Sequence, residues 1–133
     1  MGISEGLKRG VIDLIILTLL EDEDMYGYEL CQTLDQKSHN LFHLQEGSLY
    51  PSLYRMLDKG YITDRKELVG KRRTRVYYHL EPIGKAYLKE IRKEYLSLNK
   101  GVFLVLGIKN MGDFLNACEK WYQYKFKKVL QTN

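Results

Sequence analysis

The fold of this chain is decided by residues 47–60, which read GSLYPSLYRMLDKG. The stretch has the signals of one short helix, since Ser48 can cap its first N–H groups, Pro51 falls in the first turn and Gly60 ends it. The apolar residues at 49, 53, 56 and 57 follow the i, i+4, i+7, i+8 spacing of a single helix face. The sequence therefore predicts a helix that packs on one side and presents a polar face on the other.

Two strand-like stretches follow this helix. Residues 61–65 and 74–80 alternate in strand fashion, with Val76 and Tyr78 among the inward side chains of the second stretch. The turn between them, 69–75, reads VGKRRTR. A helix followed by a β hairpin with a basic tip is the outline of a winged helix.

The preceding segment predicts two further helices. Leu7 to Leu20 is apolar on more than one side, which indicates a first helix packed between other elements. The acidic run 21–24 ends it, and Asp24 can cap a second helix that extends to Lys37. The fold class is therefore mainly α with a small β hairpin, arranged as a winged helix-turn-helix head that is followed by C-terminal dimerisation helices.

Composition narrows the class of protein. Of the 133 residues, 44% are hydrophobic and 29% are charged, which is ordinary for a globular chain. The longest apolar stretch, Val11 to Leu20, is only about half a membrane span, so we expect a cytoplasmic protein with no signal peptide and no membrane partner. Cys31 and Cys118 stand far apart in the sequence, which favours reduced thiols over a disulfide.

The distribution of charge points to a polyanionic partner. The net charge is +4, but residues 1–80 carry 11 Lys and Arg against 12 Asp and Glu, whereas residues 81–133 carry 10 against 5. Within the first part, the window 64–75 holds six basic residues against two acidic ones. Basic residues on a hairpin beside an exposed helix face predict contact with phosphate. The alternative is a turn that is merely solvated.

Three blocks of sequence resemble the PadR family of bacterial transcriptional regulators. They are YGYEL at 26–30, GSLYPSLYRML at 47–57 with KGYI at 59–62, and RVYYHL at 75–80 with Gly84 and Leu88. Together they cover roughly residues 8 to 90, in family order and spacing. One departure is Glu81-Pro82, where the family usually has a threonine. The resemblance implies a homodimeric DNA-binding repressor, with the third helix in the major groove and the wing along the backbone or minor groove.

We expect DNA contacts from the N-terminal and outward positions of the third helix and from the wing. The predicted DNA-binding residues are Ser48, Tyr50, Pro51, Tyr54, Arg55, Lys71, Arg72, Arg73, Arg75 and Tyr77. For Tyr50, which lies beside the apolar face, the alternative is that its ring packs and only its hydroxyl is free.

Residues 1–81 are predicted to form the DNA-binding domain and residues 82–133 a C-terminal helical dimerisation region. Asn99-Lys100-Gly101 gives a stop signal between two amphipathic helices, and Asn110 can cap the second. The conformation of Val102 to Ile108 stays open. The predicted dimerisation residues are Ile83, Tyr87, Ile91, Tyr95, Leu98, Phe114, Leu115, Cys118, Trp121 and Tyr122. The alternative is that these stripes cover the head's own core, although a small winged head offers little surface for two more helices.

The histidines, cysteines and possible nucleophiles of the sequence form no recognisable metal site or catalytic motif. His39 and His43 have the i, i+4 spacing of metal ligands, but no acidic or cysteine ligand is evident nearby, so we expect no metal. Because no Ser, Cys or Lys stands in a nucleophile motif, neither an enzyme nor a cofactor is expected.

The sequence therefore predicts a sequence-specific transcriptional regulator, a homodimeric repressor of a near-palindromic operator. A small aromatic effector that relieves repression is a further expectation, with Phe103 and Trp121 as its binding residues, although aromatic residues at helical spacing are usually core. The alternative function is a winged-helix protein-interaction module without specific DNA binding. Salt separates the two, because only binding to phosphate should weaken steeply as salt rises.

Overall fold

The computed structural model describes residues 8–120 of the chain. Its elements are α1 (Ile12–Asp22), β1 (Met25–Tyr26), α2 (Gly27–Lys37), a 3₁₀ turn (Glu46–Ser48), α3 (Tyr50–Asp58), β2 (Ile62–Leu68), β3 (Thr74–Leu80) and α4 (Pro82–Val105). Residues 111–120 are also helical. The predicted fold class, mainly α with a small β element, is confirmed.

The sheet has three antiparallel strands in the order β1, β3, β2, one strand more than the predicted hairpin. β2 and β3 pair along their whole length, as far as Leu68 opposite Thr74. The additional strand β1 places Tyr26 opposite Tyr77. A strand of two residues is too short to leave an alternating pattern in the sequence, and the prediction therefore missed it.

The core lies where the helices of the head meet the inner face of the sheet. The predicted apolar face of α3 is confirmed, since Leu53 and Met56 are at most 1% exposed. Burial of this face is the main force that holds α3 in place, and it leaves the polar face of the helix outward. The largest fully buried side chains are Ile16, Leu17, Met25, Leu30, Leu49, Leu53, Met56, Ile62 and Leu88.

The first turn of α4 lies against the backbone of Tyr61. The Glu81 N–H donates to the Tyr61 carbonyl oxygen at 3.0 Å. A Cβ at Gly84 would overlap that oxygen and would lie 2.8 Å from Leu80 Cδ1. One turn later, the Tyr87 ring stacks on the Tyr61 ring with centroids 4.3 Å apart. Glycine at position 84 therefore permits a close approach that no other residue allows without a backbone shift.

Two predicted helix caps are wrong and one predicted stop is right. Ser48 lies in the 3₁₀ turn, and α3 begins at Tyr50 without a side-chain cap. Asp24 is not a cap, because α2 begins at Gly27 with no side-chain cap and the Asp24 carboxylate binds side chains of the sheet instead. Gly60 ends α3 with a φ of +77°, a conformation that favours glycine.

The second predicted stop, Asn99 to Gly101, is wrong, because α4 continues to Val105. The helix ends at Val105, and two residues later Gly107 has a φ of +84° and donates its N–H to the Leu104 carbonyl oxygen at 3.2 Å. None of the residues that the structure describes lies within 4 Å of a Cβ at Gly101, and a helix interior tolerates such a glycine at a cost of about 1 kcal/mol relative to alanine. The bridge that the sequence left open is therefore helical as far as Val105.

The last described helix begins with the cap that the sequence predicts. The Asp113 N–H donates to Asn110 Oδ1 at 2.9 Å. In return, the Lys109 N–H donates to the Asp113 carboxylate at 3.0 Å. This reciprocal arrangement satisfies two backbone donors at the helix start.

The chain divides into two compact units, and the division falls after Arg92, inside α4. The first unit contains the sheet, α1 to α3 and the first turns of α4. The second contains the rest of α4 and the helical residues 111–120. A functional boundary after residue 81 stays a prediction.

Candidate nucleic-acid interface

The wing tip, residues 69–73, joins β2 to β3. The Val69 N–H donates to the Arg73 carbonyl oxygen at 2.8 Å and closes the turn. Lys71, Arg72 and Arg73 are exposed, and no carboxylate of residues 8–120 forms an ion pair with any of them. Three neighbouring cations without a counter-charge remain available to an external polyanion.

The other two predicted wing residues, Arg75 and Tyr77, are engaged within the sheet. The Arg75 guanidinium lies 4.3 Å from the centroid of the Tyr26 ring. The Tyr77 ring meets that same ring edge-on at 5.4 Å, and the Arg65 guanidinium lies 5.3 Å from the Tyr77 centroid. Because cation–π contacts hold both arginines against tyrosine faces, these side chains stiffen the base of the wing.

A carboxylate ahead of β1 fixes the same region. Asp24 accepts a hydrogen bond from Arg65 and lies 2.6 Å from His79 Nδ1. Burial raises the pKa of Asp24, but the hydrogen bonds with His79 and Arg65 outweigh it and hold that pKa below its usual value. Arg65 also donates to Glu67 at 2.9 Å. The charge of Arg65 is therefore balanced within the head, unlike the charges of the wing tip.

The predicted residues of α3 lie on its outward face or just before it. Pro51 falls in the first turn, Tyr54 is 63% exposed, and Ser48 is exposed in the preceding 3₁₀ turn. The Tyr50 ring is partly buried and its hydroxyl donates to Glu46 Oε1 at 2.9 Å. Burial and this hydrogen bond raise the pKa of Tyr50 to about 12, so the phenol stays protonated at neutral pH. The Tyr50 hydroxyl already has a partner, which sequence reasoning missed.

Arg55, the predicted cation of α3, is paired within the head. Its Nη2 donates to both carboxylate oxygens of Asp13 in α1, at 2.6 and 2.7 Å. The hydrogen bond with Asp13, reinforced by its charge, raises the pKa of the Arg55 guanidinium. The Arg55 side chain nevertheless stays 50% exposed. Sequence reasoning missed this pair, because 42 positions separate its members.

Two grooves border α3. The first, of about 540 Å³, is the basic groove, whose lining includes Lys8, Arg9, Ser48, Pro51, Ser52 and Arg55. Lys8 Nζ donates to the His43 carbonyl oxygen at 2.6 Å on the same side of the head. Sequence reasoning missed Lys8 and Arg9, and the available signal was two adjacent cations at the start of the predicted first helix.

The second groove, of about 560 Å³, lies between α3 and the wing. Five tyrosines line it: Tyr26, Tyr28, Tyr50, Tyr54 and Tyr78. Arg73 and Arg75 of the wing line it too, together with the carboxylates Glu46 and Asp64. Of the predicted DNA-binding residues, the groove between α3 and the wing is lined by Tyr50, Tyr54, Arg73 and Arg75. The basic groove is lined by Ser48, Pro51 and Arg55. Neither groove is lined by Lys71, Arg72 or Tyr77.

The predicted dimerisation residues fall into two groups. Tyr87 and Ile91 pack against the core of the head, and Phe114 and Cys118 are partly buried. The exposed members are Ile83, Tyr95, Leu98 and Leu115. Further apolar side chains that the sequence analysis did not assign to an interface are also exposed: Leu96, Val102, Leu104, Val105, Leu106 and Met111. Trp121 and Tyr122 lie outside the described residues.

The described residues form neither a membrane span nor a metal cluster. Within residues 8–120, no helix is long and apolar enough to cross a membrane, and no three metal-ligating side chains come together. His43 Nδ1 lies 3.0 Å from Asp35, whereas His39 is exposed. Both cysteines are free, and burial raises the pKa of the Cys31 thiol to about 11, so this thiol is protonated at neutral pH.

A three-helix head with a cationic wing beside an outward helix face defines a winged helix-turn-helix regulator. The transcriptional regulator PadR-like family matches residues 16–90, which is more than half of the chain. The chain belongs to the PadR-like family of transcriptional regulators, and the resemblance inferred from sequence is confirmed.

Relatives and solved structures agree with this assignment. The transcriptional regulator Rv3488 of Mycobacterium tuberculosis is 32% identical over 95 residues, covering 71% of this chain and 85% of that protein. The structure of a transcriptional regulator from Clostridium thermocellum matches with a TM-score of 0.67 and 34% identity, over 76% of this chain and 95% of that one. Bacillus subtilis PadR in complex with operator DNA matches with a TM-score of 0.56 and 26% identity, over 60% of this chain but only 46% of that one.

Proposed function

We propose that this PadR-family regulator is a homodimeric repressor of a near-palindromic operator. Each copy inserts α3 into the major groove and rests its wing tip on the DNA backbone. The observation that carries the proposal is the set of exposed cations Lys71, Arg72 and Arg73 beside the outward face of α3, which form no ion pair with any carboxylate of residues 8–120. The operator DNA in the Bacillus subtilis PadR structure supports DNA as the partner.

The dimensions of α3 suit this role. A helix of nine residues is about 13.5 Å long and about 10–12 Å in diameter with its side chains, and the major groove, about 12 Å wide, admits a helix of that diameter. Pro51 and Tyr54 offer apolar and aromatic surface to thymine methyl groups, and Ser48 offers a hydroxyl to either a base or a phosphate. The buried face of α3 holds the side chains of Pro51 and Tyr54 in a fixed orientation.

The proposal is tested by titrating the chain against DNA from its own promoter region and against a scrambled sequence at several salt concentrations. We expect tighter binding to the promoter DNA and a steep loss of affinity with salt, because phosphate neutralisation releases counterions. An absence of DNA binding, with salt-insensitive capture of a protein partner, would support the protein-interaction module instead.

The wing tip should contribute affinity without sequence preference. Replacing both Arg72 and Arg73 with alanine should weaken binding to promoter and scrambled DNA alike, and should reduce the salt slope by roughly one per lost contact in each subunit. A charge-matched control is the double variant Lys85→Ala, Lys89→Ala, which removes two exposed cations of α4 that line neither groove. A salt slope that the wing variant leaves unchanged, or that both variants change equally, would contradict phosphate contact by the wing tip.

Self-association through the second unit completes the proposed repressor. A strongly apolar groove there is lined by Ser97, Leu98, Gly101, Val102, Val105 and Leu106. A second copy of the chain is the proposed occupant, because a near-palindromic site requires two reading helices related by two-fold symmetry. Ile83, Tyr95 and Leu115 are proposed as further contacts, on the strength of their exposed apolar surface.

Relief of repression by an aromatic effector rests on Phe103 and Trp121. The Phe103 ring lies 5.5 Å from the Phe114 ring, and the groove beside the pair measures about 190 Å³. Ligand pockets usually measure about 300–1,000 Å³, so the part of one chain that the structure describes offers too little space, and we propose that a second copy completes the site.

Trp121, the single tryptophan of the chain, lies outside the described residues, and we propose that its emission responds to an effector bound beside Phe103. Planar aromatic compounds should quench or shift its emission saturably and should lower the affinity for promoter DNA. Phe103→Ala should weaken this response, whereas Phe42→Ala, a change in the head, should not. If a broad panel of compounds alters neither emission nor DNA affinity, the aromatic residues serve packing alone.

A further inference from the structure

We infer that Asp13 is a specificity-determining residue, which withholds Arg55 from indiscriminate contact with DNA phosphates. The inference rests on the proposed function, since it concerns DNA held against α3. A single guanidinium nitrogen, Nη2, donates to both Asp13 oxygens at 2.6 and 2.7 Å. The carboxylate of α1 thereby neutralises the charge of Arg55 and restricts its rotamers.

The pair lies where a competing anion can reach it. Arg55 lines the basic groove together with Lys8 and Arg9. Its side chain is 50% exposed and that of Asp13 is 23% exposed. Ion pairs with this much solvent access are weak and exchange with external anions. Arg55 is therefore restrained by Asp13 but remains accessible to DNA.

Transfer of Arg55 to DNA has an electrostatic consequence that depends on sequence. When Arg55 leaves Asp13 for a phosphate, an uncompensated carboxylate remains close to the negative backbone, and the two repel. A phosphate contact offsets this repulsion by the same amount in every DNA sequence. A guanine edge adds a gain that depends on the sequence, because its O6 and N7 accept two hydrogen bonds from one guanidinium. Asp13 therefore suppresses the contribution of Arg55 to random DNA more than its contribution to the operator.

Asp13 also has a simpler role available. It lies in the first turn of α1, where the helix dipole favours a negative side chain. That role predicts a small loss of stability when the carboxylate is removed. It predicts that this loss of stability does not depend on Arg55 and that the salt dependence of DNA binding does not change.

The test is Asp13→Asn, which keeps the shape of the side chain and removes its charge. Binding to scrambled DNA should become about three- to tenfold tighter, and the salt slope should steepen by roughly one per subunit as Arg55 gains a phosphate. Binding to promoter DNA should tighten less, so the ratio of the two affinities falls. The matched control is Asp22→Asn, which removes another α1 carboxylate, one paired with Lys37 at 2.5 Å.

The same change in an Arg55→Ala background separates the two roles of Asp13. There, Asp13→Asn relieves only the repulsion between the Asp13 carboxylate and the DNA backbone, so the affinities for promoter and scrambled DNA should rise by the same factor and their ratio should stay unchanged. The inference is overturned if Asp13→Asn behaves like Asp22→Asn, or if it still lowers the affinity ratio without Arg55. Asp13→Ser serves as a second variant should the asparagine variant fail to fold by circular dichroism. A wild-type chain that binds no DNA would overturn the proposed function as well, whereas wild-type binding with an unaltered Asp13→Asn variant overturns this inference alone.

Discussion

Gly84→Ala is expected to lower the free energy of unfolding of the first unit by about 3 kcal/mol, the upper end of the usual cost of overpacking. The added Cβ would overlap the Tyr61 carbonyl oxygen and would lie 2.9 Å from the carbonyl carbon. That carbonyl is also held by the Glu81 N–H, so the backbone cannot move aside without losing a hydrogen bond. Thermal unfolding followed by circular dichroism should show a fall in the melting temperature of about 12 °C or more.

Gly101→Ala is the matched control in the same helix. A Cβ at Gly101 meets no described residue within 4 Å in the isolated chain, so alanine there should stabilise α4 by about 0.5–1 kcal/mol when unfolding is followed at concentrations where the chain is monomeric. If alanine lowers the melting temperature at position 84 and raises it at position 101, the loss at position 84 comes from packing and not from the helix propensity of alanine. An unchanged melting temperature in Gly84→Ala would contradict the packing of α4 against Tyr61.

The double variant Leu98→Glu, Val105→Glu is expected to dissociate the dimer and to weaken binding to promoter DNA by about 100-fold or more. Leu98 is 70% exposed and Val105 88% exposed in the isolated chain, so charges at these positions cost the monomer little. In an apolar interface, four buried carboxylates per dimer would be strongly unfavourable. The loss of DNA affinity follows because the second half-site is no longer linked to the first.

The control for this variant is Leu41→Glu, which introduces the same charge at a leucine of the head that is 63% exposed. Sedimentation velocity should show a dimer for Leu41→Glu and a monomer for the double variant. Should the double variant stay a tight dimer, the interface lies outside the apolar groove of α4.

The features that sequence predicted correctly depend on residues close together in the chain. Leu53 and Met56 mark the buried face of α3 through their spacing, and Gly60 ends the helix through its own backbone freedom. The basic wing tip is similarly local, because its charges are adjacent in the sequence. Such signals survive folding, since no distant partner is needed to produce them.

The features that sequence missed are set by distant partners. Asp24 has the local chemistry of a cap, but Arg65 and His79 offer it stronger partners across the sheet. Arg55 looks available on its helix, and only the fold brings Asp13 to it. The pattern of a site can therefore be read from the sequence, whereas the groups that restrain its side chains cannot.

The central claim is that two copies of this chain read one operator through α3. Sedimentation equilibrium on a labelled promoter fragment, combined with hydroxyl-radical footprinting, tests it most directly. The account predicts two chains per site and two protected segments whose centres lie one helical turn, roughly 34 Å, apart. One chain per site, or protection that is the same on a scrambled fragment, would contradict it.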